Sequence, residues 1–379
     1  MRERLTSYFD DIISGRGQTL FIALASVILS LAILSIFALI AGADPFEALY
    51  ALFYGALKGR YAISATFAEM SALILTGLAV LIPYRTGFFN IGGQGQLELG
   101  ALATVVISLY LQAPPNIVLA VALLASMLVG ALAVVVPMIL RIFRGASEVT
   151  TTIMMNFASI MFMYAMVTGP LKDPAAFYGT TKAVPAAVRL PMLPGTTVHS
   201  GVLLAVLAAV VMFIVTRYTV FGLQSKMIGA NAPAARAAGV DVKGVTIRVV
   251  LLGAALAGLV GGIQILGFSF RVAEGWSKSW GFGGIPVAFL GGNPLGVVLV
   301  AFIFAVLETG SRQMQAMTGV PAALVSLFQG IPVLIYVGLK AAAYIYKPKS
   351  IAANDKIVTD YDDEPPVSSA SSSASQGGV

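Results

Sequence analysis

Polar side chains that could bind an uncharged, hydrogen-bonding molecule are concentrated in one stretch, Gly87–Leu102, between two long apolar runs. Asn90, Gln94 and Glu98 are spaced four residues apart there, Gln96 lies among them, and four glycines fall within the nine residues 92–100. On a helix, this spacing places the three side chains on one face. Polar groups and glycine-broken helices at membrane depth normally face a bundle interior or a wet cavity. The stretch therefore predicts either the wall of a translocation path or a tight helix contact in which the amides link neighbouring helices.

Other apolar runs add polar residues to this candidate path. The residues predicted to line it are Glu69, Asn90, Gln94, Gln96, Glu98, Asn156 and Gln264. Glu69, Glu98 and Glu308 are the carboxylates inside predicted membrane spans. Each of these carboxylates either accepts hydrogen bonds from a cargo or bridges a broken helix internally. Amides in such a path suit an uncharged cargo with many hydrogen-bonding groups.

The composition sets the class of protein that must hold these residues. The chain has 379 residues, of which 58% are hydrophobic and only 11% charged, whereas soluble domains average about 25% charged. Because the apolar runs are long and unbroken rather than alternating, we predict an all-α polytopic membrane protein and not a β-barrel. There is no cysteine and only one histidine, His199, so no metal site is predicted. The net charge of +6 comes from basic residues scattered at span ends and does not indicate nucleic acid binding.

About ten crossings are predicted, some of them short, broken or re-entrant. The predicted spans are 18–42, 62–83, 87–111, 117–140, 148–167, 200–216, 246–270, 281–291, 296–310 and 322–346. A short amphipathic helix outside the membrane is expected at 44–61, opened by Asp44 as its cap. Residues 1–17 form a polar N-terminal segment, and 347–379 form a tail whose Ser, Gly and acidic composition predicts disorder. The membrane domain is therefore 18–346.

The positions of the basic residues predict the orientation. If 281–291 crosses the membrane, both termini share a side with most of the 23 Lys and Arg residues. The excess of basic residues on that side places both termini in the cytoplasm. If 281–291 does not cross, residues after 347 move to the outer side.

The cytoplasmic segment 217–245 contains a predicted short helix that is rich in alanine. Asn231 can cap it, Pro233 fits its first turn, and Gly239 can end it. Such a helix, parallel to the membrane surface, is either a smooth knob that fits a groove on a cytoplasmic partner or an ordinary capped loop helix.

Three motifs resemble the permease subunits of bacterial ABC importers, in the branch of ribose-type, branched-chain amino acid and nucleoside permeases. They are F-N-I-G-G-Q-G-Q at Phe89–Gln96, G-A-N-A-P-A-A-R-A-A-G at Gly229–Gly239, and G-F-G-G-I-P-V-A-F-L-G-G-N-P-L-G at Gly281–Gly296. The first motif is closest to the guanosine-type nucleoside permeases, although Gln94 stands where Glu is common in the family. The resemblance covers about residues 18–345.

This resemblance implies a function and a set of partners. It implies alternating-access import of nucleosides across the bacterial plasma (inner) membrane, driven by a separate cytoplasmic ATPase. The implied docking residues for that ATPase are Gly229, Asn231, Ala234, Ala235 and Gly239. It also implies a second permease subunit, commonly a different chain, and an extracytoplasmic binding protein or lipoprotein. The sequence itself contains no G-x-x-x-x-G-K-[ST] phosphate-binding loop, and neither enzyme activity nor a cofactor is predicted.

Two other transport functions remain open at this point. The first is an ABC permease for a simple sugar or a branched-chain amino acid. The second is an ion-coupled secondary transporter, which also uses broken helices and polar sites near the membrane midplane. An intramembrane enzyme is disfavoured because no paired acids at metal-binding spacing and no nucleophile with a base are present.

Overall fold

The computed structural model describes residues 31–40, 42–324 and 330. Apart from two isolated β-bridges, the regular secondary structure in this part of the chain is helical, and loops connect the helices. Its helices are α1 Leu31–Ile40, α2 Pro45–Leu57, α3 Arg60–Tyr84, α4 Gly93–Tyr110, α5 Pro115–Ala133, α6 Val135–Arg144, α7 Glu148–Thr168, α8 Gly201–Tyr218, α9 Val220–Ala230, α10 Ala232–Ala237, α11 Val242–Gln264, α12 Trp280–Gly291 and α13 Pro294–Thr318. A π-helical turn, Ile265–Ser269, continues α11.

Six helical stretches within the described residues are long and apolar enough to cross a bilayer. They are α3, α5 with α6, α7, α8, α11 with its π turn, and α13. The all-α polytopic class is therefore confirmed. The predictions for 1–17, most of 18–42, most of 322–346 and the tail 347–379 lie outside the described residues.

The centre of the fold is formed by α3 and α11. In the apolar parts of α3 and α11, 89% and 83% of the residues are buried, whereas 22% are buried in the apolar part of α7. This difference identifies α3 and α11 as inner helices and α7 as a peripheral helix. Glycine makes the dense centre possible: a Cβ on Gly130 of α5 or on Gly100 of α4 would lie 2.6 or 2.9 Å from the Gly258 Cα of α11. Small residues in four-residue spacing let helix backbones approach closely, as the sequence of α11 predicts.

The short helix expected before α3 is present as α2, with the Asp44 carboxylate accepting a hydrogen bond from the Phe46 N–H at 2.8 Å. Ala48, Ala51, Leu52 and Ala56 form its buried face, which packs against α13. The burial of this face stabilises a helix that would be marginal in isolation at 13 residues.

One predicted span boundary was wrong, and another predicted span contains a break. The span predicted at 296–310 continues as α13 to Thr318, because its polar last turns pack against α2 and bury Met314 completely. The span predicted at 117–140 is interrupted at Val134 and resumes as α6. Pro137 explains this interruption, because proline lacks an N–H and its ring clashes with the carbonyl four residues earlier.

The loop between α7 and α8 lies along the segment that follows the π turn. Thr181 and Val184 donate backbone hydrogen bonds to the carbonyls of Val272 and Phe270 at 2.8 and 2.7 Å. Phe270 has a left-handed backbone with φ of +58°, and the Arg189 guanidinium lies 4.0 Å from the centre of its ring. These contacts fix the start of the non-helical segment that leads into α12.

Candidate functional site

The polar N-terminal end of α4 is fixed by the buried face of α7. The Asn156 Oδ1 atom accepts a hydrogen bond from the Gly95 N–H at 2.7 Å, and its Nδ2 donates to the Ile91 carbonyl at 2.7 Å. Thr152, one turn earlier on α7, accepts from the Ile91 N–H at 3.4 Å. Because the first N–H groups of a helix have no partner within that helix, the Asn156 side chain supplies one from a neighbouring helix. Asn156 is buried against α4, and its predicted place on the path stays a prediction.

The prediction that Asn90, Gln94 and Glu98 share one helix face was wrong for Asn90. Helix α4 begins at Gly93, so Asn90 precedes the helix. Asn90 and Gln96 instead form a reciprocal amide pair, with N···O distances of 3.0 and 3.1 Å. The Asn90 Oδ1 atom also accepts from the Gly92 N–H at 2.9 Å. This local hydrogen bonding of an Asn side chain competes with helix formation and holds the chain in a turn before α4.

Gln94 and Glu98 do lie one turn apart on α4, and both bind a segment that sequence reasoning missed. This segment, the tryptophan segment, comprises residues 276–280. Trp276 and Ser277 donate to the Glu98 carboxylate from the indole N–H and the hydroxyl. Gln94 Nε2 donates to Ser277 Oγ at 2.6 Å and to Glu98 Oε1 at 3.2 Å.

The far end of the tryptophan segment closes over Glu69 of α3. Lys278 Nζ lies 2.8 Å from Glu69 Oε2, and the Trp280 indole N–H donates to Oε1. Glu69 is only 3% exposed. A buried carboxylate is stable only when paired and hydrogen-bonded, and the segment supplies both interactions. Trp276 and Trp280 pack edge to face with ring centroids 5.5 Å apart, so the segment joins two carboxylates on two helices.

Gln264, near the end of α11, is completely buried against α3. Its Nε2 donates to the Ala68 carbonyl at 2.7 Å and to Ser71 Oγ at 3.2 Å. Its Oε1 has no hydrogen-bond partner within the part of the chain that the structure describes. Gln264 therefore links the two central helices next to Glu69.

A cavity of about 420 Å³ adjoins this network at Glu69, Lys278 and Trp280. Its lining includes Glu69, Leu73, Lys278, Ser279, Trp280, Phe282, Gly283, Pro286 and Glu308. Of the seven predicted path residues, Glu69 lines this cavity. The other six make hydrogen bonds within the protein: Asn156 joins α7 to α4, Gln94 and Glu98 join α4 to the tryptophan segment, Gln264 joins α11 to α3, and Asn90 pairs with Gln96. One signal in the sequence could have found the segment: the two tryptophans of the chain lie four residues apart and flank a lysine within an apolar region.

The segment 217–245 folds as predicted into a capped helical turn between α9 and α11. The Asn231 Oδ1 atom accepts from the Ala234 N–H at 3.0 Å, and Gly239 ends the turn with φ of +82°. Gly229 lies directly against the backbone of Arg85 in the turn after α3. Ala235 is buried, whereas Ala234, Arg236, Ala237 and Ala238 are exposed on the outer surface of α10.

Basic side chains surround this turn. Arg141, Arg236 and Lys243 line a cleft of about 200 Å³ between α10, α6 and the turn after α3. Arg141 is paired with Glu148 at 3.1 Å. Burial lowers the pKa of the nearby Arg85 guanidinium from its ordinary value, and Arg85 Nη2 donates to the Thr216 carbonyl at 3.3 Å. The cleft therefore presents positive charge at the end of the fold where α10 lies.

Comparison with known protein families decides the class of the chain. Residues 62–337 match the family described as the branched-chain amino acid transport system / permease component. The chain belongs to this permease family. It is therefore a transport subunit rather than an enzyme, and a multi-pass protein of the inner membrane. Membership implies an ABC ATPase and a substrate-binding component as partners.

The chain aligns with most of the length of individual relatives. The chain is 32% identical to the guanosine ABC transporter permease protein NupP of Bacillus subtilis, over 89% of this chain and 99% of that protein. It is 32% identical to the glucose ABC transporter permease protein TsgB13 of Haloferax volcanii, over 78% of this chain and 80% of the relative. It is 29% identical to the nucleoside ABC transporter permease protein NupB of Lactococcus lactis, over 89% and 96%. No solved structure matches the chain significantly.

Proposed function

We propose that this permease carries nucleosides into the cell as the membrane subunit of an ABC importer. The observation that carries the proposal is the similarity to a guanosine and a nucleoside permease over 89% of the chain. The local chemistry agrees, because the buried polar network and the adjacent cavity offer amides, carboxylates, an ammonium and aromatic rings without a large excess of one charge. A neutral molecule with a planar base and hydroxyl groups suits that surface.

Glucose is the second candidate cargo, since the glucose permease relative is equally identical over somewhat less of the chain. The discriminating experiment compares uptake of labelled guanosine, glucose and leucine in a strain with and without this gene. We expect only the guanosine signal to depend on the gene. Gene-dependent uptake of glucose or leucine, with guanosine uptake unchanged, would overturn the assignment.

Ten crossings with cytoplasmic termini remain our proposal for the topology of the membrane domain 18–346. Its support is the clustering of Arg85, Arg141, Arg236 and Lys243 at one end of the helices, around the turn that carries α10. Basic residues on one side favour the cytoplasmic orientation of that side. On this topology, α10 faces the ATPase, and the tail 347–379, which lies outside the described residues, is on the cytoplasmic side.

The coupling function of 217–245 is proposed for the exposed surface of α10 rather than for all five predicted residues. Ala234 presents a small side chain outward, Asn231 and Gly239 define the ends of the turn, and Gly229 joins it to the turn after α3. ATP-driven closure of the ATPase would then move α10 and, through Gly229, the inner helix α3. Such a movement rocks helices between inward and outward access.

A second, different permease subunit is proposed as the partner within the membrane. Its support is that two guanosine permease proteins of Bacillus subtilis, NupP and NupQ, both resemble this chain, at 32% and 26% identity. In this arrangement, the predicted path residues lie along or behind the wall of the path: Asn90, Gln94, Gln96, Glu98, Asn156, Gln264 and Glu69. Those amides become available to cargo only when the helices move.

A further inference from the structure

The cavity beside Glu69 combines three features of a small-molecule site. Its volume of about 420 Å³ lies within the range of roughly 300–1,000 Å³ that is typical of ligand pockets. Its lining combines the apolar residues Leu73, Phe282 and Pro286 with the polar residues Glu69, Lys278 and Glu308. Pockets of this kind bind a ligand through apolar contact and orient it with a few polar groups.

The depth of the cavity supports a position on the transport path. Glu69 lies nine residues after the first residue of α3, which places it about 14 Å along a helix of 25 residues. Glu308 lies 14 residues after the first residue of α13, also a helix of 25 residues. Both carboxylates are therefore near mid-membrane, where ionisable residues face protein or a water-filled cavity rather than lipid.

The polar groups at this cavity keep hydrogen-bonding capacity. A carboxylate has roughly four acceptor positions, and Glu69 uses one oxygen for Lys278 and the other for Trp280. An ammonium has three donors, and Lys278, whose side chain is 27% exposed, directs one of them to Glu69. Ribose hydroxyls, which both donate and accept, match a neighbouring acceptor and donor of this kind.

Phe282 supplies the aromatic surface. It is 42% exposed although it lies on an otherwise well-packed apolar helix, α12. Base stacking on an aromatic side chain is worth about 1–3 kcal/mol per base. Among the described residues that line the cavity, the cation is Lys278, and it is already paired with Glu69 at 2.8 Å. No unpaired positive charge is therefore available among them to balance a phosphate, which disfavours nucleotides.

We propose that this cavity is the binding site for the nucleoside on its way through the permease, with Phe282 stacking on the base and the Glu69–Lys278 pair binding the ribose. The inference rests on the proposed function and adds the site and the selection against phosphorylated cargo. The proposal thereby adds four substrate-contacting residues that the sequence did not indicate: Lys278, Ser279, Trp280 and Phe282.

A protection experiment tests the site without relying on transport. The chain contains no cysteine, so a single Ser279→Cys substitution places a unique thiol at the cavity. In the detergent-purified ATPase–permease complex, guanosine at ten times its dissociation constant should slow alkylation of this thiol about tenfold, because only the unoccupied fraction reacts. Guanosine monophosphate should protect far less. The matched control is Ala175→Cys in the exposed loop after α7, where guanosine should leave the rate unchanged. Equal rates with and without guanosine at Ser279→Cys would overturn the proposal.

A kinetic comparison separates failure of the site from failure of the proposed function. Phe282→Leu keeps an apolar side chain and should raise the KM for guanosine by about 5- to 150-fold, the equivalent of 1–3 kcal/mol of stacking. Phe282→Tyr keeps the ring and should stay near the parental KM. Phe289→Leu, on the same helix but packed on Tyr84 and Phe89 instead, is the control with unchanged KM. Wild-type complex that transports no nucleoside refutes the proposed function, whereas normal guanosine KM in Phe282→Leu refutes the site alone.

Discussion

The hydroxyl of Ser277 is the point where the tryptophan segment, residues 276–280, contacts both Gln94 and Glu98 of α4. It donates to Glu98 and accepts from Gln94 Nε2 at 2.6 Å. Ser277→Ala removes both hydrogen bonds while leaving the backbone and the two tryptophans in place. We expect this variant to loosen the segment without unfolding the helices around it.

The magnitude follows from the charge of the acceptor. A hydrogen bond to a charged group contributes about 1.5–3 kcal/mol, and a neutral one about 0.5–1.5 kcal/mol. Losing the charged bond alone should raise the open population of the segment by about 10- to 100-fold, since each 1.4 kcal/mol is a factor of ten.

Amide hydrogen exchange measures this opening directly. Suitable reporters are the N–H groups of Glu274 and Trp276, which donate to the carbonyls of Gly179 and Ala273 at 3.0 and 3.2 Å. Their exchange should accelerate by about tenfold or more in Ser277→Ala. The matched control is Ser279→Ala, because the Ser279 hydroxyl makes no hydrogen bond within the described residues. Equal protection in the two variants would refute the view that Ser277 holds the segment on α4.

Three further predictions concern other parts of the fold. Gly258→Leu should abolish accumulation of folded protein, because the side chain would enter the backbone of α5 at Ser126 and Gly130; a monodisperse size-exclusion peak would contradict this. Ala237→Asp, on the exposed surface of α10, should leave the melting temperature unchanged but reduce uptake and ATPase stimulation. Ala235→Asp should instead lower the melting temperature, because it buries a charge. Normal uptake in Ala237→Asp would count against coupling through α10. Burial lowers the pKa of His199 to about 4, so protonation of its imidazole opposes folding. About 3 kcal/mol of the free energy of unfolding should be lost as pH falls from about 6.5 towards 4. Thermal melts of His199→Phe should therefore depend less on acid, and a pH profile identical to that of the parent would contradict this role of His199.

The helical class and several local features could be predicted from the sequence because they depend on neighbouring residues. Asp44 and Asn231 cap helices as their types and positions indicate, and Gly239 adopts the positive φ that a helix end requires. The spacing of small residues in α11 likewise predicts close helix contact, which Gly258 makes. These signals lie within one or two turns of the chain.

The candidate site could be predicted only in part because its decisive contacts are long-range. Glu69 and Lys278 are 209 residues apart in sequence, and Glu98 and Trp276 are 178 apart. Nothing in the local pattern around either carboxylate indicates a distant indole or ammonium. The spacing rule also failed at Asn90, because it assumed a continuous helix where the Asn90–Gln96 pair holds a turn.

ATP-driven accumulation of nucleoside in a purified system tests the central claim most directly. The permease is reconstituted into liposomes with its second permease subunit, its ATPase and its binding component, and labelled guanosine is followed with ATP on the ATPase side. The account predicts concentrative guanosine uptake that requires ATP hydrolysis and is competed by other nucleosides but not by glucose or leucine. Uptake driven by an ion gradient without ATP, or uptake of glucose in place of guanosine, would contradict it.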